Sequence, residues 1–293
     1  MASCGRSSPN QASAETIVDD VGHQVAVPQR VDRIASLSPA ATELLCAVGC
    51  CEKIVVRDEW SDFPPQVAKL AALTGFSPST ELLLQHQPQL VFAHWPPANL
   101  RSALDAAQIP WFGLSAETLN QVAQAHRIVG RLCGQPERGK KLAIEFAAQV
   151  TSIRAAHPRP AKPVRVFYEL DAGDGQRPFT IGRRAFGHAL IDTVGAQNVF
   201  ADSDQAWFAV GIEALLAADP DVIVLADADV AINPQSISTL RNRTGFSSLR
   251  AVRSGCVRSV PNSLVSRPGP RLIQGLIAMA TAVKPCRDAG TQP

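Results

Sequence analysis

Residues 81–93 read ELLLQHQPQLVFA, and residues 213–226 read EALLAADPDVIVLA. Each segment opens with a glutamate and a Leu/Ala-rich stretch, reaches a proline seven residues later, and continues as an apolar run. The first part has the composition of a short helix and the last part that of a buried strand, with the proline marking the break. Because this helix–strand unit occurs once in each half of the chain, it predicts two lobes of similar plan.

Strand-like and helix-like runs alternate on both sides of these two segments. Residues 16–27 predict a hairpin, and residues 34–37 predict a strand that leads into a helix. The loop RDEWSDFPPQV (57–67) is expected to carry no regular structure because of Pro64 and Pro65. The alternation predicts an α/β fold of two Rossmann-like lobes, each with a central parallel sheet and helices on its faces.

Residues 136–156, PERGKKLAIEFAAQVTSIRAA, predict one long helix between the lobes. Leu142, Phe146, Val150 and Ile153 fall on one helical face. At 1.5 Å per residue the helix is about 30 Å long, the width of a small domain. Such a rod resists bending, so the ligand cleft between the lobes is expected to be largely preformed. The predicted divisions are a flexible tether (1–15), an N-terminal α/β lobe (16–134), a linking backbone helix (135–157) and a C-terminal α/β lobe (158–293).

The composition of the chain favours a small or weakly charged partner. The 28 basic and 26 acidic residues of the 293 are scattered and leave a formal net charge of +2, so no basic face for nucleic acid is visible. No window approaches the roughly 18 apolar residues that a membrane-spanning helix needs. Nucleic acid and a membrane-spanning role are therefore not expected.

The cysteines divide into one near the start and six in the body of the chain. The start, MASCGRSSPNQASAE, is similar to the end of a bacterial lipoprotein signal, which makes Cys4 a candidate lipid-bearing residue. The alternative is an unpaired cysteine in a disordered start. The other six are Cys46, Cys50, Cys51, Cys133, Cys256 and Cys286. They show no CxxC or Cys/His spacing, and we expect structural thiols, with Cys256 and Cys286 as the candidate disulfide.

Aromatic residues make up 5% of the chain, yet several occur where ligands bind. Four of them fall in predicted loops, three directly after a predicted strand: Trp60, Trp95, Phe179 and Trp207. In open α/β sheets such loops lie beyond the strand ends and form ligand crevices. The alternative for each ring is that it covers a small satellite core.

Four motifs carry a resemblance to a known family: SPAATE (38–43), WSDFPP (60–65), TELLLQHQPQLVFAHW (80–95) and WFAVGIEALLAADPDVIVLAD (207–227). Together they resemble the helical-backbone class of ABC-transporter substrate-binding proteins, and within it the vitamin B12 (cobalamin) binding proteins. The similarity covers nearly all of residues 16–285. It implies a periplasmic or other extracytoplasmic protein that captures cobalamin or another corrinoid and delivers it to the permease dimer of an ABC importer.

The resemblance also implies where the ligand binds. It places Ala40, Trp60, Phe179, Trp207 and Arg267 at ligand-lining positions. At two positions the sequence departs from the family's pattern. TGFS (74–77) replaces a tryptophan, so that Gly75 and Phe76 supply a smaller wall, and Ser263 stands where the family has an aspartate. Trp95 joins the set on the aromatic argument above. The departures leave room for another corrinoid or a related macrocycle.

The repeated glutamates acquire a role from the same resemblance. It implies that Glu81 and Glu213 stand on the two lobe tips, each meeting arginines on one subunit of a two-fold transporter. A glutamate in the first turn of a helix is also favoured by the helix dipole, and this is the alternative explanation.

Three rival functions rest on other residues. Siderophore or haem binding in the same fold class would pair anionic groups with arginines: Arg57, Arg183, Arg184 and Arg267. A metal site needs convergent His and carboxylate ligands, but the six histidines are isolated, and only His94 and His188 fall near predicted cleft loops. An enzyme would need a motif such as G-x-G-x-x-G or G-x-S-x-G, and neither occurs. We expect no catalytic residue, no cofactor and no metal site.

Overall fold

The computed structural model describes residues 15–75, 78–173, 175–228 and 237–289. They form a hairpin and two α/β lobes joined through a pair of long helices. The hairpin pairs β1 (Thr16–Val18) with antiparallel β2 (Gln24–Ala26). Three sequence predictions lie outside the described residues: Cys4, most of the tether, and Phe76.

The N-terminal lobe is built on a parallel sheet of five strands in the order β5-β4-β3-β6-β7. Its strands are β3 (Ile34–Leu37), β4 (Ile54–Asp58), β5 (Ala72–Leu73), β6 (Leu90–Ala93) and β7 (Trp111–Gly113). Its helices are α1 (Pro39–Ala47), α2 (Thr80–Gln85), α3 (Ala98–Ala106) and α4 (Leu119–Leu132), with 3₁₀ turns at Cys51–Lys53 and Pro65–Lys69. Successive strand residues face opposite sides, so Phe92 joins one apolar core and Val91 the other.

Helix α5 (Pro136–Ala156) has the bounds that the sequence predicts. It packs closely against α4, because two glycines let the helices approach. A Cβ on Gly139 would lie 2.5 Å from the His126 carbonyl oxygen, and one on Gly130 would lie 2.8 Å from the Gly139 Cα. The connection is therefore a pair of helices in tight contact, which is stiffer than a single rod.

The C-terminal lobe has a parallel sheet in the order β10-β8-β12-β13 and a separate antiparallel ribbon of β9 and β11. The strands are β8 (Arg165–Glu169), β9 (Phe179–Ile181), β10 (Gln197–Asn198), β11 (Trp207–Ala209), β12 (Val222–Leu225) and β13 (Val257–Ser259). The helices are α6 (Phe186–Thr193), α7 (Ile212–Ala218), α8 (Ile237–Arg241), α9 (Arg250–Arg253), α10 (Asn262–Val265) and α11 (Leu272–Ala289), with a 3₁₀ turn at Phe246–Ser248.

The repeated sequence unit occupies equivalent places in the two lobes. In the first lobe, α2 leads into β6, which pairs with the first strand of its sheet, β3. In the second, α7 leads into β12, which pairs with the first strand of that sheet, β8. Both β6 and β12 are buried along their whole length, as expected of parallel strands covered on both faces. The prediction of two lobes of similar plan is confirmed.

Two local predictions are wrong. The loop expected to lack regular structure contains the 3₁₀ turn Pro65–Lys69, because a proline without an N–H is well suited to begin a helical turn. Cys46 and Cys51 form a disulfide rather than remaining thiols. Gly49, at φ +91°, reverses the chain after α1 and brings the two Cα atoms within 4.1 Å.

The other cysteines follow the sequence reading. Cys256 and Cys286 are joined as a disulfide between β13 and α11, and Cys50 and Cys133 are buried free thiols. Across the described ranges, we find no helix with the length and apolar character needed to cross a bilayer.

Candidate functional site

A cavity of about 510 Å³ lies between the two lobes. Its N-terminal wall comes from residues at the carboxyl ends of β3, β4, β6 and β7. Its C-terminal wall comes from the end of β8, the β9–β11 ribbon and residues 265–268. The position agrees with the rule that open parallel sheets bind ligands beyond the carboxyl ends of their strands. The volume lies in the range of about 300–1,000 Å³ that is typical of small-molecule sites.

Trp60 forms one wall and is held by the buried carboxylate of Asp58. One Asp58 oxygen accepts a hydrogen bond from the Trp60 backbone N–H at 2.9 Å, and the other accepts one from the Ser61 hydroxyl. Burial raises the pKa of Asp58 because desolvation outweighs these donors. Ser61 is linked to Thr42 at 2.8 Å, and Thr42 to Ser36 at 2.7 Å. The buried chain of hydroxyls fixes the Trp60 loop to β3 and α1.

His94 and Trp95 follow β6 and line the cavity beside that wall. The Trp95 indole N–H donates to the Ser115 hydroxyl at 2.7 Å, and His94 Nδ1 lies 3.0 Å from the Leu114 carbonyl oxygen. Both partners belong to the loop after β7, so the neighbouring strand positions both side chains. Trp95 remains 58% exposed, which leaves most of its ring available to a ligand.

The C-terminal wall carries the third indole of the cavity. Trp207 on β11 pairs with Ile181 on β9 in the antiparallel ribbon, and both line the cavity. Tyr168, one residue before the end of β8, also lines the cavity and is almost fully buried. Burial raises the pKa of the Tyr168 phenol, and the nearby Asp227 charge acts in the same direction. The phenol is therefore a neutral group in this wall.

An ion pair joins the two lobes next to Arg267, which lines the cavity. Arg271, the residue before α11, donates to both carboxylate oxygens of Glu43, at 2.6 and 3.0 Å. Glu43 is 3% exposed and belongs to α1 of the other lobe. The Arg271 guanidinium also lies 4.1 Å from the centre of the Phe63 ring. The contact holds the two lobes together.

Arg267 extends this ion pair toward the ligand space. Its guanidinium donates to Glu43 at 3.3 Å, to Asp62 at 2.5 Å and to the Trp60 carbonyl oxygen at 3.1 Å. Although partial burial acts in the opposite direction, the Arg267 charge holds the pKa of Asp62 below its usual range. Arg267 is thus neutralised by carboxylates and supports the loop of Trp60.

A second buried ion pair lies behind Tyr168. Arg243 binds both oxygens of Glu169, at 2.6 and 2.8 Å. Asp227, 3% exposed, follows β12 beside this pair. Burial, followed by the negative charge of Glu169, raises the pKa of Asp227 to about 7. The charges here are internal to the C-terminal lobe and lie outside the cavity lining.

The structure brings five of the eight predicted ligand residues to one cavity: Ala40, Trp60, Trp95, Trp207 and Arg267. Phe179 and Ser263 are not among the residues lining it. Phe179 shares a strand face with Ile181 but lies two residues before it, at the start of β9. The chain after Ser263 reaches the cavity only at Val265.

The expectation that all four aromatic residues lie in loops is wrong for two of them. Phe179 and Trp207 occupy the paired strands β9 and β11. Their pairing partners are nearly 30 residues apart in sequence, and short strands that pair at this distance have little local signature.

Several lining residues were not predicted to bind the ligand, among them Asp58, His94 and Tyr168, although the sequence did place His94 near a cleft loop. Each ends or directly follows a strand: Asp58 ends β4, His94 follows β6, and Tyr168 lies one residue before the end of β8. The available signal was the carboxyl end of every predicted strand, whatever the residue type.

The arginines proposed for anionic ligands are mostly committed elsewhere. Arg57 donates to the backbone carbonyls of Val67 and Asp58, at 2.9 and 2.8 Å, and Arg183 pairs with Asp204. Arg267 is the one arginine among the lining residues that the structure describes, and its charge is already matched.

The family of the chain follows from comparison with known proteins. Residues 34–264 match the model of the periplasmic binding protein family, which covers most of the site and parts of both lobes. The chain belongs to the periplasmic binding protein family. The sequence-based resemblance is thereby confirmed, and the molecule is an extracytoplasmic solute-binding protein.

Two relatives illustrate the similarity in sequence. The vitamin B12-binding protein of Vibrio cholerae is 28% identical over 267 residues, covering 89% of this chain and 92% of its own. An uncharacterized ABC transporter substrate-binding lipoprotein of Bacillus subtilis, YvrC, is 25% identical over 276 residues, covering 92% of this chain and 85% of its own.

Solved structures show the same fold. The periplasmic vitamin B12 binding protein of Vibrio cholerae superimposes with a TM-score of 0.76 at 26% identity, covering 89% of this binding protein and 99% of that chain. The heme binding protein HmuT superimposes with a TM-score of 0.79 at 23% identity, covering 95% and 92%. The predicted fold class, two α/β lobes with parallel sheets and a cleft between them, is confirmed.

Proposed function

We propose that the binding protein captures cobalamin or a related corrinoid in the interlobe cavity and delivers it to an ABC importer. The observation that carries the proposal is the convergence of three indoles, Trp60, Trp95 and Trp207, on one cavity from both lobes. A corrin is a broad, mostly apolar disc edged with amide arms, and flat aromatic walls bury such a disc well. The similarity to B12-binding proteins along nearly the whole chain supports the same ligand.

The charge of the cavity lining distinguishes a corrinoid from the two alternative ligands, haem and a ferric siderophore. Haem carries two propionates, and ferric siderophores are commonly anionic, so both need unmatched cations in their sites. Arg267 is the described lining arginine, and Glu43 and Asp62 already neutralise it. Amide arms need no countercharge. The site therefore favours a corrinoid over haem or a siderophore.

The ligand class is tested by calorimetry with the purified protein. Cyanocobalamin, haemin and a ferric siderophore are titrated separately under the same conditions. We expect stoichiometric one-to-one binding of cyanocobalamin and no saturable binding of the other two. Tight haemin binding without cyanocobalamin binding would overturn the corrinoid assignment while leaving the family intact.

The aromatic wall gives a quantitative prediction. Trp207→Ala removes a half-exposed indole from the cavity wall, and we expect cyanocobalamin binding to weaken by about 1–3 kcal/mol through lost aromatic burial. Isothermal titration measures the change. Ile277→Ala, which removes an exposed apolar side chain outside the cavity lining, is the matched control. Unchanged affinity in a Trp60→Ala, Trp207→Ala double variant would contradict the proposed site.

Docking to the importer is proposed for the tips of the two lobes. Glu81 and Glu213 are exposed and each lies in the first turn of its helix, α2 or α7. An exposed leucine accompanies each glutamate: Leu82 and Leu216. Because α2 and α7 occupy equivalent places in the two lobes, the pairs form a pseudo-two-fold surface that matches a two-fold permease dimer. The carboxylates set the docking register, and the leucines add apolar contact.

The remaining proposals concern anchoring and chemistry. Cys4 is proposed as the site of a lipid anchor, supported by the lipoprotein-like start of the sequence and by the name of the Bacillus subtilis relative.

The binding protein is proposed to release its ligand unchanged, as a carrier does. Mass spectrometry of the released corrinoid after prolonged incubation tests this, and any modified product would contradict it.

A further inference from the structure

His94 differs from the other histidines of the chain in its position. Of the six histidines, all of them in the described ranges, His94 alone lines the interlobe cavity. It directly follows β6, and its side chain is exposed to the cavity space. His126, by contrast, is buried between α4 and α5 and bonded to the Val122 carbonyl oxygen. The sequence indicated only that His94 lies near a cleft loop.

The hydrogen bond at one ring nitrogen decides what the other can do. His94 Nδ1 lies 3.0 Å from the Leu114 carbonyl oxygen, and a carbonyl oxygen only accepts hydrogen bonds. Nδ1 therefore carries the proton, and the neutral ring has its lone pair at Nε2. In the described part of the chain Nε2 has no hydrogen-bond partner.

This arrangement is the one that metal-bound histidines use. Such histidines donate the N–H of the second ring nitrogen to a backbone carbonyl or a carboxylate, which fixes the tautomer and increases the basicity of the ligating nitrogen. Leu114 supplies the carbonyl.

The protein by itself does not complete a metal site around His94. Within the described ranges, no group of three or more His, Cys, Asp or Glu residues is placed to hold a metal ion. A metal that binds His94 must therefore arrive with most of its coordination already filled. A metal held in the plane of a macrocycle, with one axial position open to exchange, meets this condition.

We propose that His94 Nε2 is an axial ligand to the metal at the centre of the macrocycle that the cavity binds. The inference rests on the proposed corrinoid function. In the binding step an exchangeable axial water leaves the metal and the Nε2 lone pair takes its place, with no change of oxidation state. The site would then prefer a corrinoid with an exchangeable axial ligand over one with an inert ligand.

Aquacobalamin and cyanocobalamin provide the test, because the water on cobalt exchanges readily and the cyanide does not. Binding of aquacobalamin to the wild-type protein is expected to shift its visible absorption bands in the direction produced by free imidazole, whereas cyanocobalamin shows no such shift. In His94→Ala the shift disappears, and the ratio of aquacobalamin to cyanocobalamin affinity falls by at least about tenfold. His86→Ala, which removes a histidine outside the cavity lining, is the matched control and keeps the wild-type ratio and shift.

The possible failures are distinguishable. If cyanocobalamin binds and aquacobalamin binds without the imidazole-type shift, axial ligation by His94 is wrong and the corrinoid function stands. A shift that persists in His94→Ala also overturns the inference, because another group then supplies the nitrogen. If neither cobalamin binds to the wild-type protein, the proposed function itself fails, and the inference falls with it.

Discussion

Corrinoid import into vesicles that contain the ABC transporter is expected to stop when Glu81→Lys and Glu213→Lys are combined in the binding protein. Each reversal places a lysine against the basic pocket that the carboxylate is proposed to meet, and like charges brought together at an interface cost several kcal/mol. Both glutamates are exposed and lie outside the cavity lining, so corrinoid binding in solution should be retained. Import is measured with labelled cobalamin, and complex formation by co-purification with the transporter.

The control variant makes the same change in net charge at two glutamates that are not proposed to contact the transporter. Glu52→Lys with Glu145→Lys alters the net charge by the same amount at two exposed glutamates on other surfaces of the molecule. This variant should import at the wild-type rate. If the Glu81, Glu213 variant also imports at the wild-type rate, the two glutamates serve only to begin their helices.

Glu43→Ala is expected to lower the free energy of unfolding by about 3–5 kcal/mol, the cost of removing one partner from a buried ion pair. The carboxylate is almost fully buried and binds Arg271 through both oxygens, with Arg267 as a further donor. In the variant Arg267 still pairs with Asp62, whereas Arg271 retains, among its described side-chain contacts, the one with the Phe63 ring. Most of the lost stability is therefore expected to come from the unpaired Arg271 charge. Denaturant unfolding followed by circular dichroism measures the change.

A second consequence concerns the ligand. Because the Glu43 ion pair joins the lobes beside the cavity, its loss should also weaken cyanocobalamin binding. Glu145→Ala provides the comparison, since Glu145 lies 3.9 Å from Lys141 on the exposed face of α5 and such surface pairs contribute less than about 1 kcal/mol. Equal unfolding midpoints for the two variants would show that the interlobe pair does not stabilise the fold.

Much of the fold is readable from short stretches of sequence. The strand at Ile34–Leu37 and the helix at Pro136–Ala156 have the bounds that the pattern predicts. A run of apolar residues before a proline, or a repeat of apolar residues every three to four positions, reports on structure within a few residues of itself. Elements of this kind need no information from distant parts of the chain.

The residues of the candidate site could be predicted from the sequence only in part. Trp60 and Trp95 follow predicted strands, and their placement at the cavity agrees with that reading. Tyr168 is almost fully buried and belongs to β8, so its residue type does not separate it from the other core residues of that strand, and only its place near the strand end pointed to the cavity. Arg267 was expected at a ligand-lining position and does line the cavity, but nothing in the sequence indicated that Glu43 and Asp62 match its charge.

By itself the sequence determined that this protein has two α/β lobes, a long connecting helix and a solute-binding family, because each of these follows from local periodicity or from contiguous motifs. Only the tertiary structure decided which charges remain available to a ligand. Arg267 and Glu43 are 224 residues apart, and whether they meet depends on how the two lobes pack against each other. The same holds for His94, whose proton lies on Nδ1 because the loop after β7 brings the Leu114 carbonyl oxygen within 3.0 Å of that nitrogen.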